Sequence, residues 1–209
     1  TAAATGSTAP LMVVDSFELS TGDAKMDLTL RSAGDMEVVG TAILRGEYSN
    51  NILSVDATGD LLMIGMGNAL RVESSATGDA PAGVLNVKAN RVIVTGFVGR
   101  ERLDSATTAE EYEAALARSE EGPPSDGSLF ADTMNITVTE ALFVQNSNGS
   151  GEDISTRRGL TYGTGGLNIN TAANTIVVIN GITSGANGIV SGADALAGVK
   201  INGVAPSNA

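Results

Sequence analysis

The side chains with the widest chemical reach in this sequence are acids that recur after glycine. Asp23, Asp35, Asp60 and Asp79 stand in Thr21-Gly22-Asp23, Ala33-Gly34-Asp35, Thr58-Gly59-Asp60 and Thr77-Gly78-Asp79. Carboxylates brought together in pairs can share general acid and base roles, as in glycan cleavage. Gathered in greater number they hold Ca²⁺. The glycines are 12, 25 and 19 residues apart, a loose repeat. Gly-Asp is also a common turn pair, because glycine tolerates unusual backbone angles and the Asp carboxylate bonds to nearby backbone. All four acids sit at corners, so turn capping is the expected role and no catalytic residue is assigned. Neither the calcium-binding nonapeptide nor the EF-hand loop occurs, which leaves weak Ca²⁺ binding at the Asp corners open.

Other chemistry is narrowed by what is missing. The sequence holds no His and no Cys, which removes the usual ligands of zinc, haem and iron–sulfur clusters and all thiolate chemistry. No cofactor and no metal ligand is therefore expected. There is no phosphate-binding loop and no Gly-x-Ser-x-Gly elbow. Gly163-Thr164-Gly165-Gly166 runs into a strand pattern and reads as a turn, not a nucleotide cradle. Arg157-Arg158 is the one local basic pair, expected to hold acids on a neighbouring layer. Asn135-Ile136-Thr137 and Asn148-Gly149-Ser150 match the glycosylation triplet and read as chance matches.

Composition narrows the partners. Lys and Arg number 12 against 24 Asp and Glu, a net charge of -12. Such a chain repels phosphate, so nucleic acid is not an expected partner, and an anionic membrane surface does not attract it. No stretch nears the roughly 20 apolar residues of a spanning helix. The start, TAAATGSTAP, has no Met, no basic region and no apolar run of signal length, which suggests processed material or an internal piece. Aromatic residues are 3% of 209 and glycines number 26, while the apolar content is mostly Val, Leu, Ile and Ala. Small branched side chains of this kind suit thin repeated layers better than one deep core.

The elements that would position these residues are short alternating runs. Leu11 to Leu19 opens the series, followed by Met26–Leu30, Met36–Val39, Ile52–Val55, Asp60–Ile64, Ala69–Glu73, Val84–Lys88 and Arg91–Val94. Period-two alternation over four to six residues is the signal of a half-buried strand. The Gly-Asp corners between them read either as ordinary hairpin turns or as the corners of a coil of roughly 20 to 25 residues. Thr107 to Arg118 is the one convincing helix, with Thr108 and Glu111 as a capping box, Tyr112 and Leu116 on one face and Gly122-Pro123-Pro124 as its stop. Its acidic face is expected to be solvated. Strands resume at Met134–Thr139, Ala141–Asn146, Leu167–Asn170 and Thr175–Ile179. Asn180-Gly181 and Asn202-Gly203 mark tight corners. From Gly185 onward the alternation weakens, into a thin last layer or a flexible tail.

Four segments carry a family likeness. Ala141-Leu142-Phe143-Val144-Gln145-Asn146-Ser147, Arg157-Arg158-Gly159-Leu160-Thr161, Gly166-Leu167-Asn168-Ile169 and Ile176-Val177-Val178-Ile179-Asn180-Gly181 resemble a module of large filamentous-haemagglutinin-type bacterial exoproteins. The close likeness covers about residues 141 to 182, while residues 12 to 98 look only generically like that family's shaft. It implies a right-handed parallel β-helix, export by two-partner secretion and a role in adhesion or biofilm at the cell surface. The family's N-terminal secretion region, which meets an outer-membrane transporter, is not among these residues, and no catalytic residue travels with the motif.

The expected fold is all-β, a right-handed parallel β-helix (β-solenoid) with one short helical insertion; an antiparallel sandwich is the alternative. The expected divisions are an N-terminal arm at 1–11, solenoid rungs at 12–100, the helical insertion at 101–128, and rungs with a C-terminal tail at 129–209. The expected function is that of a non-catalytic, secreted structural or adhesive segment that meets surface glycans or proteins of host and neighbour cells. A carbohydrate-active β-helix enzyme is the alternative, favoured if carboxylates cluster on one exposed face of adjacent rungs. Open end rungs would let copies stack head to tail into filaments; the competing expectation is that the ends are cut, disordered or capped in a longer protein.

Overall fold

The computed structural model describes residues 11–47, 51–64, 68–75, 80–95, 108, 111, 128–145, 159–180, 182–184 and 199–204. Fifteen strands make one sheet: β1 (Met12–Val14), β2 (Phe17–Thr21), β3 (Asp27–Ser32), β4 (Met36–Val38), β5 (Thr41–Gly46), β6 (Ile52–Ala57), β7 (Leu61–Ile64), β8 (Ala69–Ser74), β9 (Ala80–Pro81), β10 (Val84–Thr95), β11 (Ser128–Gln145), β12 (Gly159–Thr171), β13 (Ile176–Asn180), β14 (Ile182–Ser184) and β15 (Val199–Ile201). Every pairing between them is parallel except that of β8 with the two-residue β9. An antiparallel sandwich is thereby set aside.

The registers resolve into three ladders. The first joins β1, β4, β7, the end of β10, the end of β11 and β13. The second joins β2, β5, β8, the start of β11, the start of β12 and β14. The third joins β3, β6, the start of β10, the middle of β11, the end of β12 and β15. The chain visits first, second and third ladder in turn and then begins again. Along the first ladder Met12, Met36 and Leu61 are in register, so the opening circuits take 24 and 25 residues. Later circuits lengthen, and the longest on this ladder, from Val92 to Leu142, takes 50 and contains the residues expected to form the helix.

The sheet curls about one apolar core, because each strand turns alternate residues inward. In-register side chains then stack as columns. Met12, Met36, Leu61, Val92, Leu142 and Val177 form one, and Leu30, Val55, Val87, Ile136, Ile169 and Ile201 another. The middle members are fully buried, each contributing about 1.5–3 kcal/mol by leaving water. A column of branched aliphatics fills such layers, which is why few aromatic anchors are needed.

Several sequence readings change here. The run Leu11–Leu19 divides into β1 and β2 at Asp15-Ser16, where the Asp15 carboxylate accepts the Ser16 N–H at 2.6 Å and turns the chain. The runs 84–88 and 91–94 are one strand, bent at a register shift between Ala89 and Arg91. The run 134–139 and residues 141–145 of the next likewise lie on β11. Strand β5, Thr41–Gly46, has no counterpart among the expected runs: its inward residues are Ala42, Leu44 and Gly46, too small a pattern to stand out. At the Asn202-Gly203 corner φ is 50° and 79°, and Ile201 and Val204 exchange both backbone hydrogen bonds across it. The Thr108 hydroxyl accepts the Glu111 N–H at 3.2 Å, as the capping box requires. The rest of the expected helix, the 1–10 arm, Thr77-Gly78-Asp79, Asn148-Gly149-Ser150, Arg157-Arg158, Gly181 and the tail segments 185–198 and 205–209 lie outside the described residues.

Candidate functional site

The three Gly-Asp corners among the described residues belong to more than one kind. Gly34 and Gly59 stack at the passage from the third ladder to the first: the Gly59 N–H donates to the Gly34 carbonyl at 3.0 Å, and the Asn90 N–H to the Gly59 carbonyl at 2.7 Å. There the Asp35 carboxylate accepts the Asp60 N–H at 3.0 Å. Asp60 is buried and takes the Arg91 guanidinium through Nε at 2.9 Å and through Nη2. Both acids are thus tied to the neighbouring circuit, Asp35 through a backbone N–H and Asp60 through the Arg91 side chain. Gly22 and Asp23 lie elsewhere, after β2, where the Glu47 N–H donates to the Gly22 carbonyl at 3.4 Å.

Asp23 and Glu47 therefore face each other on adjacent circuits. A side-chain hydrogen bond with Asp23, and then its negative charge, raise the Glu47 carboxyl above its ordinary 4.5. A carboxyl held up in this way binds its proton more tightly folded than unfolded. It stabilises the fold at low pH, and that contribution is lost as pH rises through the raised value. Glu47→Gln keeps a hydrogen-bond donor toward Asp23 and removes the repulsion. The variant is expected to melt higher than wild type at neutral pH and level with it below pH 4.5. Thermal melts across that range check it; a gap that persists in acid would mean the repulsion is not the cause.

The glycine-rich segment is inside a strand. Ala131 pairs with Tyr162 and Thr133 with Gly166, so one residue of β11, Asp132, faces the three residues 163–165 of β12. The Thr164 hydroxyl donates to Asp132 at 3.1 Å. A Cβ on Gly165 would stand 2.8 Å from the Asp132 carboxylate and closer to the Thr133 hydroxyl. The glycines make room for a bulge, which explains their density without a nucleotide.

The outer sides of the three ladders differ. On the first, Leu62, Ile93 and Phe143 stand in register facing away from the core columns, and all three are buried. On the second, Phe130 is buried with the Arg71 guanidinium 4.8 Å above its ring, an arrangement favourable to the cation. Glu73 is buried beside it, reached by Arg45 at 2.9 Å and Arg71 at 2.7 Å, while Arg45 also reaches Glu18 at 3.3 Å.

The third ladder presents polar side chains instead. Thr29, Ser54, Asn86, Asn135 and Asn168 stand in one row, one from each of five successive circuits, and Lys200 follows on the sixth. Their amides form a chain: Asn168 donates to Asn135 at 3.0 Å, Asn135 to Asn86 at 2.9 Å and Asn86 to Ser54 at 3.2 Å. Arg31, Asp56 and Lys88 form a charged row beside it, with Arg31 and Asp56 3.4 Å apart. Asn135, the head of a glycosylation triplet, has its amide committed to this chain. Reasoning from sequence misses the row, although the triplets Leu85-Asn86-Val87, Met134-Asn135-Ile136 and Leu167-Asn168-Ile169 carry its signal once aligned.

Among the described residues no group of three or more His, Cys, Asp or Glu could hold a metal ion, and no helix is long and apolar enough to cross a membrane. No protein-family model, no curated protein and no solved structure matches the chain.

Proposed function

We propose that the chain is a non-catalytic structural or adhesive segment of a secreted bacterial exoprotein, built as a right-handed β-solenoid. The observation that carries this reading is the row Thr29–Ser54–Asn86–Asn135–Asn168, repeated once per circuit on a polar outer face. An amide offers two N–H donors and two acceptor lone pairs, and the chain of side-chain bonds uses only part of them. What remains matches sugar hydroxyls, which donate and accept alike. The face is a repeating strip along the stack, suited to an extended glycan at a cell surface. The likeness to filamentous-haemagglutinin-type exoproteins supports the same reading, because the described residues of its four segments fall on successive strands at the end of β11, both parts of β12, and β13. Secretion and cell-surface location rest on that likeness.

Binding of the purified chain to immobilised polysaccharides and to bacterial and host cells tests this reading. Binding is expected, with the Asn86→Ala, Asn135→Ala, Asn168→Ala variant losing most of it while keeping its far-ultraviolet circular dichroism. Equal binding by that variant would remove the row from the account.

A second reading, a carbohydrate-active enzyme, is favoured by one observation: the paired carboxyls of Asp23 and Glu47 on adjacent circuits, one with a raised pKa. Glycan cleavage that disappears in Glu47→Gln and Asp23→Asn would replace the adhesive reading with this one.

A further inference from the structure

We propose that the outer strip of the third ladder takes a sparsely charged acidic polysaccharide, one whose carboxylates lie at intervals along a chain of hydroxyls. The proposal rests on the adhesive reading and names the class of glycan. Among the described residues, the outer faces of the other two ladders are covered in their middle circuits. Leu62, Ile93 and Phe143 are buried on the first, and Glu73, Phe130 and Thr161 on the second. On the third ladder Asn86, Asn135 and Asn168 are only half-buried, and Lys88 and Lys200 are exposed.

Charge sets this strip apart from the rest of the chain. Acids outnumber bases 24 to 12 in the sequence. Yet the third-ladder segments of the third to sixth circuits, residues 84–89, 133–138, 166–171 and 199–201, contain no acid. They carry Lys88 and Lys200, two of the three lysines in the sequence. Among the described residues neither ammonium forms an ion pair. Asp56, in register with Lys88, is held instead by the Arg31 Nε at 3.4 Å. A lysine is a compact, strongly hydrated point charge on a flexible stem, which lets it meet a single carboxylate on an open face.

The spacing of the two lysines favours a sparse charge over a dense one. Lys88 stands on the third circuit and Lys200, in register with Asn168, on the sixth. Neighbouring strands are about 4.8 Å apart, which puts the two lysine strands roughly 14 Å apart along the stack. Asn135 and Asn168 occupy the two circuits between them. Each of these amides spends one N–H on the side-chain chain, which leaves the other N–H and a lone pair for hydroxyls. The order cation, amide, amide, cation therefore matches hydroxyls held between two carboxylates. A polymer charged on every sugar matches less well, because its further charges would meet a chain of net charge -12 without a cation to answer them.

Biolayer interferometry of the full chain on three immobilised polymers tests this. They are hyaluronan, with a carboxylate on alternate sugars, its methyl ester, which is the same polymer without charge, and dextran sulfate. Hyaluronan is expected to bind most tightly, with an affinity that falls as salt rises. Lys88→Gln and Lys200→Gln are each expected to weaken it by about threefold, the effect of one exposed ion pair, and by about tenfold together. Binding to the methyl ester should be the same in these variants as in wild type. Lys25→Gln removes the third lysine, already paired with Asp27 at 3.3 Å, and is expected to leave hyaluronan binding unchanged. Equal affinity for hyaluronan and its methyl ester, kept in the double lysine variant, would overturn the inference and leave the adhesive reading standing. Tightest binding to dextran sulfate would replace it with a densely charged partner. If none of the three polymers binds, the inference falls, and the wider set of polysaccharides and cells decides the adhesive reading by itself.

Discussion

Gly83→Ala is expected to cost about 3–5 kcal/mol of stability, combining backbone strain, overpacking and a damaged hydrogen bond. Gly83 has φ +58°, where a side chain is strained, and a Cβ there would lie 2.8 Å from the Val72 Cγ1 and closer to the Asn51 carbonyl oxygen. That carbonyl accepts the Val84 N–H at 2.9 Å and so starts β10 on β6. Moving it disturbs Asn51, a buried residue whose side-chain oxygen accepts the Met26 N–H at 2.9 Å on the circuit before. The Gly83 carbonyl in turn accepts the Thr133 N–H at 3.0 Å, on the circuit after. One methyl group thus presses on three successive layers. Gly22→Ala is the control, since nothing lies within 4 Å of its Cβ and its φ is ordinary; its cost should stay within about 0.5 kcal/mol. Urea unfolding of both variants decides the matter. Equal midpoints would mean that the Gly83 corner yields without loss.

The second large effect is expected at Glu73. Its side chain is fully buried between Arg45 and Arg71, whose own side chains are 28% and 23% exposed. Removing the acid in Glu73→Leu leaves two cations close together with little water to compensate. A cost of about 3 kcal/mol follows, at the lower end for a broken buried pair because the arginines are partly hydrated. Replacing all three, Glu73→Leu with Arg45→Met and Arg71→Leu, should recover most of that loss, since the desolvation cost of the charges disappears with them. Glu18, 47% exposed on the rim of the same cluster, should matter little, and Glu18→Gln is expected to cost under about 1 kcal/mol. Urea midpoints for wild type and these three variants test the scheme. A triple variant no more stable than Glu73→Leu would show that the cluster contributes something beyond charge balance, such as the seat of the Arg71 guanidinium on Phe130.

These two sites differ in how far they can be read from sequence. The glycine of Ala82-Gly83-Val84 is ordinary in the sequence; its positive φ exists because β9 runs antiparallel beside β8 and the chain must reverse to enter β10. Glu73 sits in the alternating run Ala69-Leu70-Arg71-Val72-Glu73, where an acid at an outward position predicts exposure. It is buried instead, although its parity along β8 is as expected.

The local vocabulary of this protein is legible in its residues alone. Alternation marks most strands, Gly-Asp and Asn-Gly mark corners, Thr108 and Glu111 mark a capping contact, and scarce aromatics point to thin layers of aliphatic side chains. Each of these is set by residues a few positions apart, through side-chain parity, backbone φ or a short-range hydrogen bond. What lies 22 to 59 residues apart along a ladder is settled only in three dimensions. Folding chooses which strands are neighbours, merges runs 84–88 and 91–94 into β10, and aligns Asn86, Asn135 and Asn168 into one amide chain. It also separates Asp23 from Asp35 and Asp60, brings Asp23 to Glu47, and buries the outward Leu62, Ile93 and Phe143. Parallel pairing has no turn to announce it, so register across a circuit depends on the sum of many distant core contacts, and no short stretch of sequence carries that sum.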